Sequence, residues 1–148
     1  MQVDGRHYRT IWEERGEIRT IDQRRLPHEF IAVTLDSAET AARAIREMWV
    51  RGAPLIGATA AWGLVLALRA DPRSLEKAAA MLAATRPTAV NLRWALEDMT
   101  TRLAPLPPSD RAEAAAARAR AICDEDAAIN EAIGTHGLAL IRAAAERT

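Results

Sequence analysis

The sequence predicts an α+β fold. A small antiparallel three-stranded sheet, at about residues 6–35, should precede a mostly α-helical bundle at about residues 37–148. Residues 8–12 alternate in character with a period of two, as in a half-buried strand. From Asp36 onward, apolar residues recur at the three- and four-residue spacing of helices. The 148 residues, 49% of them hydrophobic, are enough for one domain with its own core.

Turn residues divide the first part into three predicted strands. The run Glu14-Arg15-Gly16 is typical of a hairpin turn, and residues 17–21 form the returning strand. Pro27 interrupts the pattern because proline disfavours the interior of both strands and helices. Residues 30–35 are apolar and β-branched enough for the third strand. Three strands are near the minimum for a stable sheet, so we expect this one to pack on helices.

The first two helices flank a break at Arg51-Gly52. Asp36 or Ser37 can cap the first helix, whose shared face is predicted to consist of Ala41, Ile45, Met48 and Trp49. The second helix is expected to begin at about Pro54 and to be buried on most sides, because residues 53–68 carry no charge.

Three further helices are predicted. Asp71-Pro72 suggests that the third helix starts with a cap followed by a first-turn proline. The apolar stripe of this helix is predicted to consist of Leu75, Ala78, Ala79 and Leu82. Thr88 can cap the next helix, in which the recurring apolar residues are Leu92, Ala95, Leu96, Met99 and Leu103.

The last helical region follows a proline-rich loop at residues 104–108 and starts at Ser109-Asp110. Its alanine-rich tract, residues 112–121, favours a solvated helix over disorder. Gly134 and Gly137 are expected to interrupt the helix, as a kink or as a close helix contact.

The charge balance restricts the partners and the location of the protein. Twenty basic and twenty acidic residues cancel, which argues against a nucleic-acid or membrane-surface binder. Lys77 is the only lysine, so nearly every positive charge is an arginine, which suits oxyanion binding better than base catalysis. The single cysteine, Cys123, excludes an internal disulfide and indicates a reducing compartment. Residues 53–68 are shorter than the roughly 20 residues that span a bilayer. We therefore expect a soluble, cytoplasmic protein.

The run Arg51-Gly52-Ala53-Pro54 is a candidate anion site. Proline suits the first position of a helix, and the unpaired N–H groups of a buried helix start lie at the positive end of its dipole. Gly52 and Ala53 allow close approach to the backbone, and Arg51 can add a bidentate guanidinium. Phosphate is the usual anion at such a site. The alternative is a helix capped by water beside a surface arginine.

Arg86, just before Thr88, repeats this arrangement of an arginine ahead of a helix start. Two such starts in one small domain favour a shared phosphorylated ligand, although a coincidental pair of surface arginines remains open at this point.

The other reactive residue types do not form a recognisable site in the sequence. The three histidines are too far apart in sequence to suggest a metal site. Cys123 precedes three acidic residues, which raise a thiol pKa, so a structural role is favoured. The residues indicate oxyanion binding but no metal, nucleophile or acid–base pair.

Four motifs, in this order and spacing, resemble the N-terminal portion of the methylthioribose-1-phosphate isomerase family. They are Ile21-Asp22-Gln23 with Leu26-Pro27, the run from Val50 to Gly57, the run from Arg86 to Leu92, and Asn130 with Ile133-Gly134 and Gly137. The resemblance extends from about Tyr8 to the end of the chain. Leu55 and Trp62 depart from the usual alanine and tyrosine, and both keep the position apolar. The superfamily also includes ribose-1,5-bisphosphate isomerase and regulatory subunits of a translation-initiation exchange factor.

The resemblance implies an aldose–ketose isomerase of methionine salvage that acts on a phosphorylated sugar. It forms homodimers, needs no cofactor, and has a Rossmann-like C-terminal domain after the N-terminal domain. Arg51, Gly52, Ala53 and Arg86 match substrate-binding positions. The family's catalytic cysteine, in a threonine-histidine-cysteine-asparagine run, and its catalytic aspartate belong to the C-terminal domain. Neither Cys123 nor His136 lies in that run.

Residues 1–148 are thus expected to form an N-terminal domain that does not turn over substrate alone. Any apolar surface that the other domain would cover should be exposed or buried by self-association. The alternatives are a ribose-1,5-bisphosphate isomerase-like enzyme and a non-catalytic regulatory or binding module of the same superfamily.

Overall fold

A computed structural model describes residues 2–146 and confirms the α+β fold. The strands of the described residues are β1 (Gln2–Val3), β2 (Arg6–His7), β3 (Ile11–Glu14), β4 (Glu17–Ile21) and β5 (Ala32–Leu35). The helices are α1 (Ala38–Arg46), α2 (Ala53–Ala70), α3 (Leu75–Ala83), α4 (Val90–Leu103) and α5 (Pro108–Ala145).

The main sheet is antiparallel in the order β3-β4-β5, as the sequence predicts. The predicted hairpin turn joins β3 to β4, with Arg15 and Gly16 both at positive φ. The sheet buries Ile11, Ile18 and Leu35 in the main core. The first strand begins at Ile11 rather than at residue 8, and a second small sheet of β1 and β2 precedes it. That sheet was not predicted because strands of two residues are too short to show a periodicity.

The predicted cap of α1 is confirmed, but its face is shorter than predicted. Ser37 Oγ accepts a hydrogen bond from Thr40 N at 3.1 Å. The helix ends at Arg46, and Met48 adopts a φ of 58° and is exposed. Met48 therefore does not belong to the buried face, because the backbone has already left the helical path at this residue.

Helix α2 lies at the centre of the fold and contacts α1, α3, α4, α5 and β3. Thirteen of its 18 residues are buried, as the lack of charge predicts. Two glycines permit this packing: a Cβ at Gly57 would meet Asn91 O at 2.8 Å, and one at Gly63 would meet Leu82 and Ala41 at 3.0–3.2 Å. The closeness of neighbouring elements thus explains why small residues occur along this helix.

The length and hydropathy of α2 are also those of a helix able to cross a membrane. The helix extends to Ala70, two residues beyond the uncharged stretch used in the sequence analysis. Of this helical window, 67% is buried inside the fold. A helix buried to this extent is typical of the core of a fold.

The starts of α3 and α4 differ from the prediction by one to three residues. Asp71 and Pro72 form a turn, in which Asp71 Oδ1 accepts from Arg73 N at 2.9 Å, and α3 begins only at Leu75. Helix α4 begins at Val90 after Ala89, so Thr88 is not its cap. The predicted stripe of α4 is buried in full, and Leu75, Ala78 and Leu82 of α3 are buried as well.

Helix α5 is continuous over 38 residues, about 57 Å at the usual rise per residue. The predicted interruption at Gly134 and Gly137 is wrong: the helix runs through both, and a Cβ at either would meet nothing within 4 Å. The alanine tract is helical as predicted but is not simply solvated. Its Ala115, Ala116 and Ala119 are buried, because α5 packs closely on α2 and α4.

Ion pairs join elements that are distant in the sequence. Glu13 of β3 contacts Arg69 of α2 and Arg120 of α5, each at 2.7 Å. Asp98 of α4 contacts Arg118 of α5 at 2.6 Å. These pairs fix the sheet and α5 against the helical core.

Candidate functional site

The start of α2 has no side-chain cap from any residue in the range 2–146. Its N-cap residue Gly52 adopts a φ of 90°, a conformation that favours glycine, and supplies no side chain. The first turn contains Pro54 and no acidic residue. The N–H groups of this turn therefore lack side-chain partners, and open space lies where a Cβ of Gly52 would point. This geometry suits an anion close to the backbone.

The start of α4 is uncapped as well. Its N-cap residue is Ala89, and its first turn contains no acidic residue. The loop before it is held in place by local bonds: the buried Thr85 hydroxyl donates to Leu82 O at 2.6 Å, and Arg93 Nη2 donates to Pro87 O at 3.1 Å. These contacts fix the backbone on both sides of Arg86.

The structure brings the two helix starts together. Gly57, one turn into α2, lies directly against the backbone of Asn91 in the first turn of α4. Arg51 and Arg86 precede these adjacent starts; Arg51 is exposed and Arg86 is half-buried. Within residues 2–146, neither guanidinium has a hydrogen bond or an ion pair. Binding of one anion by both arginines stays a prediction.

The loop that carries Arg51 is supported by the residues around Asp22. Gln23 N donates to Trp49 O at 2.8 Å, and Arg24 forms a bidentate pair with Asp22. Hydrogen bonds from Arg24 hold the pKa of the buried Asp22 carboxyl below its usual value, despite the opposing effect of burial. Asp22 therefore stays charged and keeps Arg24 in place over the ring of Trp49, 4.9 Å from its centroid. The motif at residues 21–23 thus positions the loop.

A cavity of about 850 Å³ opens beside the two helix starts. Its walls come from residues 7–11, the first turns of α2 and α4, and the middle of α5. Its larger apolar lining residues are Ile11, Leu55, Val90, Trp94, Ile122 and Ile129, and its charged ones are Arg9, Glu125 and Asp126. Its lining includes Pro54 of α2 and Val90 of α4 but not Arg51, Gly52, Ala53 or Arg86.

Sequence reasoning missed two of these walls. Residues 7–11 and the middle of α5 are more than 100 residues apart, and no local pattern indicates that they meet. Arg9 is the direct link: its Nη1 donates to Cys123 O at 3.1 Å and lies 2.8 Å from Asp124 Oδ1.

Cys123 lines the cavity but is not an activated nucleophile. Burial raises the pKa of its thiol, and the nearby Trp62 indole and Arg9 guanidinium offset this only in part. The thiolate is therefore scarce at neutral pH, in keeping with the structural role expected from its acidic neighbours. Among residues 2–146, no group of three His, Cys, Asp or Glu side chains is placed to hold a metal ion.

Comparison with known proteins supports the resemblance seen in the motifs. The chain is 59% identical over 149 residues to a methylthioribose-1-phosphate isomerase from Cereibacter sphaeroides, an alignment covering 99% of this chain and 41% of the relative. The chain thus spans about two-fifths of the length of such curated relatives.

Two solved structures share the fold. A 5-methylthioribose 1-phosphate isomerase from Pyrococcus horikoshii has a TM-score of 0.72 and 36% identity, over 79% of this chain and 36% of that one. The delta subunit of translation initiation factor eIF-2B from A. fulgidus has a TM-score of 0.76 and 32% identity, over 82% and 38%. Residues 49–146, which include both arginine-led helix starts, match the Initiation factor 2 subunit family. The chain belongs to this family.

Proposed function

We propose that residues 1–148 form the N-terminal, substrate-binding domain of an isomerase that converts methylthioribose-1-phosphate to methylthioribulose-1-phosphate in methionine salvage. The observation that carries this proposal is the pair of adjacent helix starts without side-chain caps, each preceded by an arginine that has no hydrogen bond or ion pair within residues 2–146. The names of relatives that are 52–59% identical to this chain support the substrate.

The phosphate binds at the starts of α2 and α4. Backbone N–H groups of both helices and the positive ends of their dipoles attract the dianion. Arg51 and Arg86 add charge-assisted hydrogen bonds, and the open space at Gly52 and the exposure of Ala53 admit the phosphate to the backbone. The supporting loops at residues 21–24 and 85–87 hold this geometry before the ligand arrives.

The cavity beside the helix starts favours a ligand with one phosphate over a bisphosphate. Its walls are largely apolar, and Glu125 and Asp126 are the carboxylates among its lining residues. Those carboxylates repel a second phosphate, whereas an uncharged thioether tail loses little on leaving water. The methylthioribose substrate is therefore preferred to ribose-1,5-bisphosphate.

On its own, the chain binds substrate without isomerising it. Proton transfer between adjacent carbons needs a positioned acid–base group. The pKa of the Cys123 thiol is raised, and the acidic residues of the cavity have Arg118 or Asn130 as partners. The resemblance assigns the reacting cysteine and aspartate to a C-terminal domain.

The complete enzyme is a cytoplasmic homodimer in this proposal. Exposed apolar side chains on the second half of α5, such as Ile133, Leu140 and Ile141, support an association surface. Light scattering on the complete enzyme tests this part, and a monomer at micromolar concentration contradicts it.

Calorimetric titration of the chain with methylthioribose-1-phosphate tests the binding site. We expect Arg51→Ala and Arg86→Ala each to weaken binding by about 1.5–3 kcal/mol, or roughly 10-fold to 150-fold, because each removes a charged donor. Arg15→Ala is the matched control, since Arg15 is an exposed arginine in the β3–β4 turn. Equal affinity in all three variants would exclude the two arginines from the site, and tighter binding of ribose-1,5-bisphosphate would contradict the substrate.

The rival function is a non-catalytic binding module. Its support is the likeness to the eIF-2B delta subunit, with a TM-score of 0.76. Such a module needs an interaction surface but no sugar phosphate. Binding of the sugar phosphate that depends on Arg51 and Arg86 favours the enzyme, and absence of any such binding favours the module.

A further inference from the structure

The connection between α1 and α2, residues 47–52, carries Arg51. The side chain of Arg51 is exposed and has no hydrogen bond or ion pair within residues 2–146. No such contact in that range therefore orients its guanidinium. The direction in which Arg51 extends depends instead on how the backbone before it is held.

The backbone of Trp49, two residues before Arg51, is hydrogen-bonded at both of its polar groups. Its N–H donates to Ala44 O at 2.9 Å, at the end of α1, and its carbonyl accepts from Gln23 N at 2.8 Å, in the loop after β4. The next residue, Val50, is completely buried. Trp49 thus ties the end of α1 to the loop at residues 22–24 immediately before the chain reaches Arg51.

The indole ring of Trp49 contacts charged side chains from both of these elements. The guanidinium carbon of Arg24 lies over the ring at 4.9 Å from its centroid, and that of Arg43 on α1 lies over it at 5.2 Å. The ring Nε1 donates to Glu47 Oε2 at 3.0 Å, and Arg24 Nη1 lies 3.6 Å from the same oxygen. The negative face of an indole attracts guanidinium cations, so the ring reinforces the link that the backbone of Trp49 makes.

Trp49 can be changed without altering the charge of the site. It does not line the cavity beside the helix starts, and its side chain is neutral. Replacement of Arg24 or Arg43 would instead remove a positive charge as well as a contact. A neutral replacement of Trp49 therefore isolates the effect of geometry on Arg51.

We propose that Trp49 is a positioning residue that acts on the phosphate through Arg51. By tying the end of α1 to the loop at residues 22–24, it fixes the backbone from which the Arg51 guanidinium extends. The inference rests on the proposed function and gives Trp49 a part in it that is separate from that of Arg86. Without the ring, Arg51 has to be ordered when the ligand binds, and this ordering lowers the affinity.

Calorimetric titration of the full chain with methylthioribose-1-phosphate measures whether Trp49 acts through Arg51. We expect Trp49→Leu to weaken binding about threefold to tenfold. In an Arg51→Ala background the same change should alter the affinity less than about twofold, whereas in an Arg86→Ala background the full loss should remain, because only coupled positions depart from additivity. Trp49→Phe keeps an aromatic ring beside the two guanidiniums and should retain most of the affinity.

The matched control is Met48→Ala, which truncates an exposed side chain in the same connection and leaves the ring of Trp49 in place. Its affinity should equal that of the wild type. A loss in Trp49→Leu that is as large in the Arg51→Ala background as in the wild type overturns the proposal. An equal loss in Met48→Ala also overturns it.

Limited digestion with trypsin gives a second readout that needs no ligand. The dipeptide Arg-Gly occurs twice at exposed positions, at residues 51–52 and at residues 15–16, and both glycines have a positive φ. Trp49→Leu should speed cleavage after Arg51 about threefold to tenfold, because local opening exposes that bond to the protease. Cleavage after Arg15 is the internal control and should keep its wild-type rate. Unchanged cleavage after Arg51, or equal acceleration at both bonds, overturns the proposal.

The two measurements separate failure of this inference from failure of the proposed function. A wild type that does not bind methylthioribose-1-phosphate contradicts the proposed function and, with it, the role of Trp49 in binding. Normal binding by the wild type, together with an additive loss in Trp49→Leu, contradicts the role of Trp49 alone.

Discussion

The two longest helices differ in how many of their residues are buried. Helix α2 buries 13 of 18 residues and contacts every other helix, whereas α5 buries only Ala115, Ala116, Ala119 and Ile122 of its 38 residues. The second half of α5, from residue 127 onward, is almost entirely exposed and displays Ile129, Ile133, Leu140 and Ile141. Helix α2 thus forms the centre of the core. Helix α5 adds a short buried face of mainly alanine residues to that core, and its long second half stays exposed.

The glycines of these helices show the same contrast. Gly57 and Gly63 of α2 lie against Asn91, Leu82 and Ala41 at distances that leave no room for a methyl group. Gly134 and Gly137 of α5 face open space. The same residue type therefore permits close packing in one helix and only lowers helix propensity in the other.

Truncation of a buried leucine should show the largest difference between the two helices. Leu64 of α2 is fully buried, so Leu64→Ala should lower the free energy of unfolding by about 2–5 kcal/mol through the cavity it leaves. Ile133→Ala in the exposed half of α5 should change it by less than about 0.5 kcal/mol. Urea titration followed by circular dichroism measures both. Similar losses at the two positions would mean that the second half of α5 is packed in solution.

Exchange of the glycines should give effects of opposite sign. Gly57→Ala places a methyl group 2.8 Å from Asn91 O and should cost about 1–3 kcal/mol, since the backbone of α4 must move. Gly134→Ala meets no neighbour and should stabilise the helix by about 0.5–1 kcal/mol. Thermal unfolding of the two variants and the wild type checks this. A stable Gly57→Ala variant would contradict the close contact between the starts of α2 and α4.

Acid should selectively weaken the attachment of α5 to the core. Burial acts to raise the pKa of Asp98, but hydrogen bonds from Arg118 and Arg102 outweigh it and hold the pKa below the ordinary value of 3.8. A lowered carboxyl pKa contributes stability that is present above the unfolded-state value and is lost as pH falls through the folded-state value. Between pH 7 and pH 2, the free energy of unfolding should therefore fall by about 1–2 kcal/mol less in Asp98→Asn than in the wild type.

The matched control for this pH series is Asp110→Asn, which removes an exposed carboxylate at the start of α5 that accepts a hydrogen bond from Ser109 and has no other side-chain partner among the described residues. Its acid dependence should follow that of the wild type. Identical profiles for Asp98→Asn and the wild type would show that the pair between α4 and α5 makes no contribution to stability.

Much of the fold was predictable because it depends on neighbours close in sequence. The turn at Arg15 and Gly16, the Ser37 cap, the buried α2 and the apolar stripe of α4 were all confirmed. Each follows from backbone preference or from apolar periodicity within one element. The errors at Met48, Pro72 and Thr88 all concern helix boundaries. A side chain that can cap or continue a helix does not fix its ends, because packing also decides where the helix begins and ends.

The candidate site was predictable only in part. The residues Arg51, Gly52, Ala53 and Arg86 could be chosen because an arginine before a helix start is visible in the sequence. Their roles in binding stay predictions. The cavity, the contact of Arg9 with α5 and the supporting pair of Asp22 and Arg24 were not foreseen, although the sequence motif around Asp22 pointed to that loop.

Residue order alone was sufficient for the fold class, most of the helix and strand pattern, the family resemblance and the two arginine-led helix starts, because these depend on local chemistry. Tertiary structure alone placed those two starts side by side, turned the alanine face of α5 toward α2, and brought residues 7–11 across to Cys123. These contacts join segments from about 30 to more than 110 residues apart. They form when apolar faces are buried against each other. The periodicity of a single element identifies its apolar face but does not indicate which other face it will contact.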